Sequence, residues 1–408
     1  MQPLSIAIAG CGPAGLAAAL ALSRQGHAIR LFDQFDIPRP LGSGLILQPP
    51  GMEVLDWLGP GPLLRRLGQP LDRLYGRAIG SGRVVLDVKY KALGEGLCGL
   101  GVHRAALFNV LHDAVLGANL PIASSRRIAG LTRANDGRPL VLAHDGSQHG
   151  PFDLVVDALG SRSPLIEHAA APAQRHKLDY GAIWASLPWC GGFDPNALEQ
   201  RYCEASVMIG VLPIGRLKDG EGKQAAFFWS LKTSDHPAWL REGLGTWKTR
   251  VRGLWPETGV LLDHIGDPAQ LTLASYGHHT LPLPFGERIV FIGDSAHSTS
   301  PQLGQGANMA LLDVAALAQA LEDSDDLAAA LADYARLRRL HVRLYQALSV
   351  VFTPFYQSDS LILPLIRDQL VSPVSRMPGA TRLLASIVAG LMVNPLSRLR
   401  SFRTAFRA

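Results

Sequence analysis

Apolar runs and glycine-punctuated breaks alternate from the first residues onward. Leu4 to Ala9 (LSIAIA) is short, apolar and partly β-branched, and predicts a buried strand. Gly10-Cys11-Gly12-Pro13-Ala14-Gly15 interrupts it. Strong helix formers in LAAALALSRQ then run to Gly26, a C-cap signal, and AIRLFD predicts a second strand ending on Asp33. Further on, GMEVLDWLGPGPLLRRL reads as helical, RAIGSGRVVLDVKY as strands, and His103-Arg104 opens a helix through AALFNVLHDAVLG. Short strands with turn signals fill 120–150, and FDLVVD predicts another buried strand.

From about 175 to 280 the texture changes. Helical periodicity is sparse, aromatics cluster (Trp184, Trp189, Phe193, Tyr202, Phe227, Phe228, Trp229), and DPN and KDGEGK separate strand-like runs. The pattern of the first region returns near Arg288. An apolar run ends in Gly293-Asp294, a Pro- and Gly-rich loop follows, and a helical pattern begins near Asn308. The expected fold class is α/β plus α+β: a Rossmann-like domain, an inserted and largely antiparallel β-sheet substrate domain, and a C-terminal helical segment. The boundaries expected are 1–75, 98–174 and 281–345 for the Rossmann-like domain, 76–97 and 175–280 for the substrate domain, and 346–408 for the tail.

Composition narrows the setting. A chain of 408 residues that is 47% hydrophobic and 18% charged is globular, with room for more than one core. Its four cysteines form no C-x-x-C pair, so neither a disulfide frame nor a zinc site is expected. The N-terminus enters the first strand at once and no apolar run reaches 18 residues, so the expected address is cytoplasmic. The net charge of +5 is unevenly placed. Beyond Asp368 there is no acid, while Arg376, Arg382, Arg398, Arg400, Arg403 and Arg407 are basic. Such an end suits either a helical pair packed on the body or peripheral contact with an anionic membrane surface. No stacking or groove-reading motif points to nucleic acid.

Two stretches carry chemistry. At the N-terminus, strand, G-x-G-x-x-G, helix, strand and acid follow in register. Gly10 permits a tight turn, Gly12 lets backbone approach a pyrophosphate, and Gly15 allows close helix–strand packing. The helix N-terminus offers unpaired N–H groups to phosphate, and Asp33 would accept hydrogen bonds from a ribose. The second stretch, VFIGDSAHSTSPQLGQGANMALLD, places one carboxylate and a helix start at a strand end, which suits a planar polar cofactor with a hydroxyl chain.

Together GCGPAG with Asp33, Arg104 in VHRAAL, DALGSRS and the GD stretch resemble the FAD-dependent aromatic hydroxylases of the p-hydroxybenzoate hydroxylase fold, in particular the 2-polyprenyl-6-methoxyphenol hydroxylase-like group. The resemblance covers roughly residues 4–350. It implies FAD held by Gly10, Gly12, Pro13, Ala14, Gly15 and Asp33 at the adenosine end and by Arg104 near the ribityl–pyrophosphate region. At the flavin end it implies Gly293, Asp294, Pro301, Gly304, Gln305, Gly306, Ala307 and Asn308. It further implies NAD(P)H as electron donor and hydroxylation of an aromatic, phenolic or quinol-like substrate with O₂ through a flavin C4a-hydroperoxide. Trp184, Phe228 and Trp229 are the candidates to line an apolar substrate pocket, and His297 is either a flavin contact or a locally bonded loop residue. No catalytic base is assigned.

Two departures stand out. Asp33 replaces the glutamate usual in the family. In the middle motif, usually Ala-Asp-Gly-x-x-Ser, Leu159 occupies the aspartate position, with Asp157 two residues earlier. Leu159 keeps a flavin reductase or dehydrogenase as an alternative, and the basic tail keeps a non-catalytic membrane-associated flavoprotein. A halogenase lacks its W-x-W-x-I-P element, the nearest match being Trp184-Ala-Ser-Leu-Pro188.

Overall fold

The computed structural model describes residues 1–36, 42–172, 174–371, 373, 377–393 and 395–402. Its six-stranded sheet runs in the order Phe285–Gly286, Ile289–Phe291, Leu154–Asp157, Ser5–Ala9, Ala28–Phe32, Ile122–Ala123, and only the first pair is antiparallel. A parallel sheet covered on both faces needs apolar side chains on both, which is why its strands read as near-continuous apolar runs. One face packs under the helices Pro13–Arg24, Arg104–Gly117 and Gly306–Asp323. The other carries a three-stranded antiparallel sheet (Ile128–Arg133, Pro139–Ala143, Gln148–His149), with Ile128 and Val141 against Phe32 and Phe291.

Two glycines are set by space as well as by backbone. Gly10 has φ +102°, and a Cβ there would sit 2.6 Å from the carbonyl oxygen of Ala158. A Cβ on Gly15 would lie 1.9 Å from the Gly10 carbonyl oxygen, so the first helix approaches its strand only because both are glycine.

The second large sheet has eight strands in the order His297–Ser298, Thr272–Thr280, Gln174–Pro188, Gln224–Lys232, Val207–Pro213, Ala197–Cys203, Arg73–Ala78, Val84–Lys89. It is antiparallel apart from the pairing of Ala197–Cys203 with Arg73–Ala78. Its edge pairing of His297–Ser298 with His279 and Thr280 stitches the loop after Asp294 to this sheet, and so places that loop between the two layers.

One expectation is corrected here. The region read as poor in helix carries the helices His236–Glu242, Leu244–Leu254 and Gly259–Leu262. The middle one buries only Trp247 and Val251, four residues apart, among polar and basic neighbours. Leu244 and Leu254 pack against the same core, so the apolar positions Leu244, Trp247, Val251 and Leu254 recur at helical spacing and this helix was legible in the sequence.

The tail is a 30-residue helix, Leu327–Tyr356, followed after shorter turns by the helix Pro378–Val388. Leu396, Leu399 and Phe402 are buried in the first core, and the Tyr345 hydroxyl donates to the Ile387 carbonyl at 2.9 Å. The described part of the tail therefore packs on the body. Arg376, Arg403, Arg407 and the side chain of Arg398 lie outside the described residues. Among the described residues, no helix is long and apolar enough to cross a membrane.

Candidate active site

A cavity of about 1110 Å³ lies between the two large sheets, and most of the sequence-predicted site residues line it. At one end stand Gly10, Gly12, Pro13, Ala14 and Asp33. The helix Pro13–Arg24 has no side-chain cap, so its first-turn N–H groups are left for a ligand. A Cβ on Gly12 would meet nothing within 4 Å, which leaves the backbone open to close approach. Asp33 is nearly buried. Its carboxylate accepts from the Cys11 N–H at 2.8 Å and the Phe35 N–H at 3.0 Å, which ties the glycine turn to the second strand. Each oxygen keeps a second lone pair for a further donor. Burial and the Asp33 carboxylate both push the Cys11 thiol up, so Cys11 stays a neutral filler.

At the other end stand Asp294, Pro301, Gly304, Gln305, Gly306 and Ala307. The helix expected from Asn308 starts two residues earlier, at Gly306, and it too lacks a side-chain cap. Two uncapped helix N-termini thus open onto one cavity. Asp294 is exposed, and its carboxylate makes no hydrogen bond among the described residues. Gly304 adopts the left-handed conformation, φ +61°, that turns the loop into the helix. Arg104, also exposed, lines the cavity between these ends, and its charge is felt by Tyr276.

Four predicted residues do not line it. Gly15 is taken up by strand packing. Gly293, with φ +60°, leaves room for Ala14 and Ala310 and donates its N–H to Asp313 at 2.8 Å. Asn308 accepts from the Gln48 N–H at 2.7 Å and donates to the carbonyls of Ile46 and Gly304, so its amide fastens three segments behind the cavity wall. Trp229 points to the opposite face of the sheet, where it meets Trp247 at 6.2 Å between ring centroids. Neighbours in a strand face opposite sides, so Phe228 and Trp229 could not both line one pocket.

Phe228 does line it, paired across the sheet with Trp184 at 4.4 Å between ring centroids. The Trp184 Nε1–H donates to the Tyr276 hydroxyl oxygen at 2.9 Å. Burial pushes the Tyr276 phenol up to about 12, against the opposing pull of that hydrogen bond and of Arg104. Sequence reasoning missed Tyr276, although Thr272, Ala274 and Tyr276 alternate along one strand and all line the cavity. It also missed Gln48. The oxygen of that amide accepts from Tyr90 at 2.7 Å, while its buried nitrogen faces the cavity with no partner. Leu384 and Val388, from the tail helix, complete the wall.

Leu159 lines the cavity and Asp157 does not. Asp157 is fully buried and accepts from the Leu159 N–H and the Ser295 hydroxyl at 2.9 Å and from the Ser163 hydroxyl. Burial pushes it up to about 6, although these hydrogen bonds favour its charged form. It holds the DALGSRS loop to Ser295 and does not reach the cavity that Leu159 lines. His297 is likewise local. It pairs with the buried Asp313 at 2.7 Å, and Arg338 bonds the other oxygen of that carboxylate at 2.6 Å. Burial disfavours the Asp313 carboxylate, yet these two partners together hold it below its ordinary value.

This is the two-layer architecture of a nucleotide-binding flavoprotein, with a cavity reaching from a G-x-G-x-x-G turn to a second, uncapped helix. The chain belongs to the FAD binding domain family, whose model matches residues 4–188 and 277–343. Aurachin C monooxygenase/isomerase of Stigmatella aurantiaca is 27% identical over 409 residues, covering 96% of this chain and 99% of that protein. A 6-hydroxynicotinate 3-monooxygenase of Bordetella bronchiseptica is 27% identical, covering 82% and 86%. Among solved structures, 2-methyl-3-hydroxypyridine-5-carboxylic acid oxygenase superposes with a TM-score of 0.78 at 18% identity, covering 95% and 96%. HpxO of Klebsiella pneumoniae, solved with FAD and uric acid, gives 0.77 at 22%, covering 95% and 97%. The resemblance drawn from the motifs to FAD-dependent aromatic hydroxylases is borne out.

Proposed function

We propose that this protein is an FAD-dependent monooxygenase that hydroxylates an aromatic, phenolic or quinol-like substrate, with NAD(P)H as electron donor. The observation that carries the reading is the pair of uncapped helix N-termini at the two ends of one cavity, with the free carboxylate of Asp294 beside one and Asp33 beside the other. The residues fit FAD. Gly10, Gly12 and the first turn of Pro13–Arg24 would take the pyrophosphate, and Asp33 the adenosine ribose. Asp294 would take the ribityl hydroxyls, and Pro301 with Gly304 to Ala307 the ring edge. The unpartnered Gln48 amide nitrogen supplies a further donor at the same wall. On this reading Gly15, Gly293 and Asn308 shape the site without touching the cofactor.

Bound FAD would supply the redox chemistry, taking two electrons from the nicotinamide and activating O₂. The chain supplies the rest. The positive end of Gly306–Asp323 favours negative charge on whatever ring edge faces it. Trp184, Phe228 and the sheet face exclude water from the reacting ring. Tyr276, kept protonated by burial and held by Trp184, is a hydrogen-bond donor for a substrate oxygen. Arg127 and Arg162, both exposed at the cavity, support a phosphate-bearing donor despite Leu159. The expected substrate-domain segments 76–97 and 175–280 are proposed on the same division, with the first moved back to 73 because the strand Arg73–Ala78 belongs whole to the eight-stranded sheet.

The test is substrate-stimulated oxidation of NADH or NADPH, followed with O₂ uptake and product mass. Incorporation of one oxygen atom from O₂ into an aromatic product supports the proposal. Turnover that proceeds without O₂ would point to the reductase alternative. Peripheral membrane contact is a separate proposal. Its support is the exposed apolar surface of Leu361, Ile362 and Leu365 together with the acid-free, basic sequence beyond Asp368, and liposome co-sedimentation tests it.

A further inference from the structure

The cavity is chemically two-sided. Its charged lining residues are Asp33, Arg104, Arg126, Arg127, Arg162 and Asp294, and all of them come from the elements around the six-stranded sheet. The part walled by the eight-stranded sheet and the tail has no charged lining residue among the described residues. There Leu74, Leu198, Met208, Leu212, Leu384 and Val388 line it; five of them belong to one continuous apolar cluster that includes Phe228, and Leu384 and Trp184 pack against that cluster.

The polar groups in this arm are spent on one another. The Tyr202 hydroxyl donates to the Gln200 side-chain oxygen at 3.0 Å, and the Gln200 amide nitrogen donates to the Met208 sulfur at 3.3 Å. Arg367, whose Nη2 is buried without a hydrogen-bond partner, does not line the cavity. Its guanidinium lies against the rings of Tyr202 and Tyr356 and pairs with Asp368 at 2.7 Å. An apolar arm with no cation lining it among the described residues disfavours a carboxylate and rewards hydrocarbon, because a desolvated anion needs a partner and a buried methylene does not.

We infer that the substrate is an aromatic ring carrying a hydrocarbon chain of several carbons and no carboxylate, with the ring beside Trp184, Phe228 and Tyr276 and the chain in the arm between the sheet and the helix Pro378–Val388. The inference rests on the proposed function for the chemistry at the ring. For the chain it rests on the lining alone. The tail helix is then part of the specificity machinery, since Leu384 and Val388 close the arm and Gln305 ties it to the cofactor loop by donating to the Val388 carbonyl at 2.6 Å.

Calorimetric titration of the FAD-loaded protein tests this, using 4-alkylphenols with methyl to heptyl chains and the matching phenols whose chains end in carboxylate. Affinity is expected to rise about fourfold per methylene until the arm is full, and to fall at least tenfold when the chain ends in carboxylate. Leu198→Asp and Leu212→Trp, checked for retained FAD and cooperative melting, are expected to flatten the chain-length dependence. A flat series in the unmodified protein, binding of no member at all, or a preference for the carboxylates would overturn the inference. So would an undiminished slope in both folded variants. Failure of the hydroxylase reading looks different: the slope persists, but no tested ring gains oxygen in turnover with NAD(P)H and O₂.

Discussion

The indole N–H of Trp184 donates to the phenolic oxygen of Tyr276 at 2.9 Å, joining two neighbouring strands of the large sheet at the cavity wall. Trp184 has no second donor, so this bond fixes which way the Tyr276 hydroxyl is free to donate. Tyr276→Phe leaves the half-buried indole N–H unpaired and removes the donor proposed for a substrate oxygen. We expect kcat/KM to fall about 10- to 100-fold with FAD retained. Because burial holds the Tyr276 phenol near 12, the wild-type pH profile between 6 and 9 should carry no ionisation that the variant lacks. Steady-state kinetics across that range decides it.

Asp294 offers a carboxylate with no protein partner among the described residues, which suits a ligand hydroxyl chain. Asp294→Ala is expected to weaken FAD binding about 10- to 100-fold, read by titrating apoprotein with FAD and following flavin fluorescence. Unchanged affinity would remove Asp294 from the cofactor site.

Phe228 and Trp229 are adjacent, yet they should behave differently. Trp229→Ala empties a buried site among Trp239 and Trp247 and is expected to cost about 3–5 kcal/mol of stability, with substrate affinity unchanged in the protein that remains folded. Phe228→Ala is expected to raise KM. Denaturant melts and kinetics on both variants separate the two faces of the strand.

Asp157 predicts a pH effect on stability. Its pKa is raised by burial from an ordinary 3.8 to about 6, so the folded state holds a proton that the unfolded chain releases. Its contribution is fully present below about 4 and is lost as pH rises through about 6. Over that window it should lower stability by up to about 3 kcal/mol. In Asp157→Asn that component should vanish, which thermal melts from pH 4 to 7 would show as a flatter curve.

Gly10→Ala is expected to cost about 1–3 kcal/mol from the backbone alone, given φ +102°, with a further loss from the close approach to Ala158. Soluble expression and FAD content measure it. Gly12→Ala, which meets no protein atom within 4 Å, should fold normally and lose FAD affinity instead.

The sequence alone determined what lies along single elements. The glycine turn, its helix and Asp33 are contiguous and carry their own periodicity, and the same holds for the loop from Asp294 to Ala307. These local patterns were sufficient to pick out residues that line the two ends of one cavity and to suggest FAD. Strand alternation could also have separated Phe228 from Trp229 and found Tyr276, because the side-chain period of a strand is two.

Only the tertiary structure decided which polar groups are already taken. Asn308, His297 and Asp157 each sit in a motif that suggests a ligand contact, and each is bonded to a partner distant in sequence: Gln48, Asp313 and Ser295 respectively. Whether a side chain serves a ligand or the fold depends on where its hydrogen bonds end, and long-range pairing sets that. The tail was opaque for the same reason. Nothing local marks Leu384 or Val388 as the wall of a cavity whose opposite side begins at Leu74, since burying apolar surface joins segments without regard to their distance along the chain.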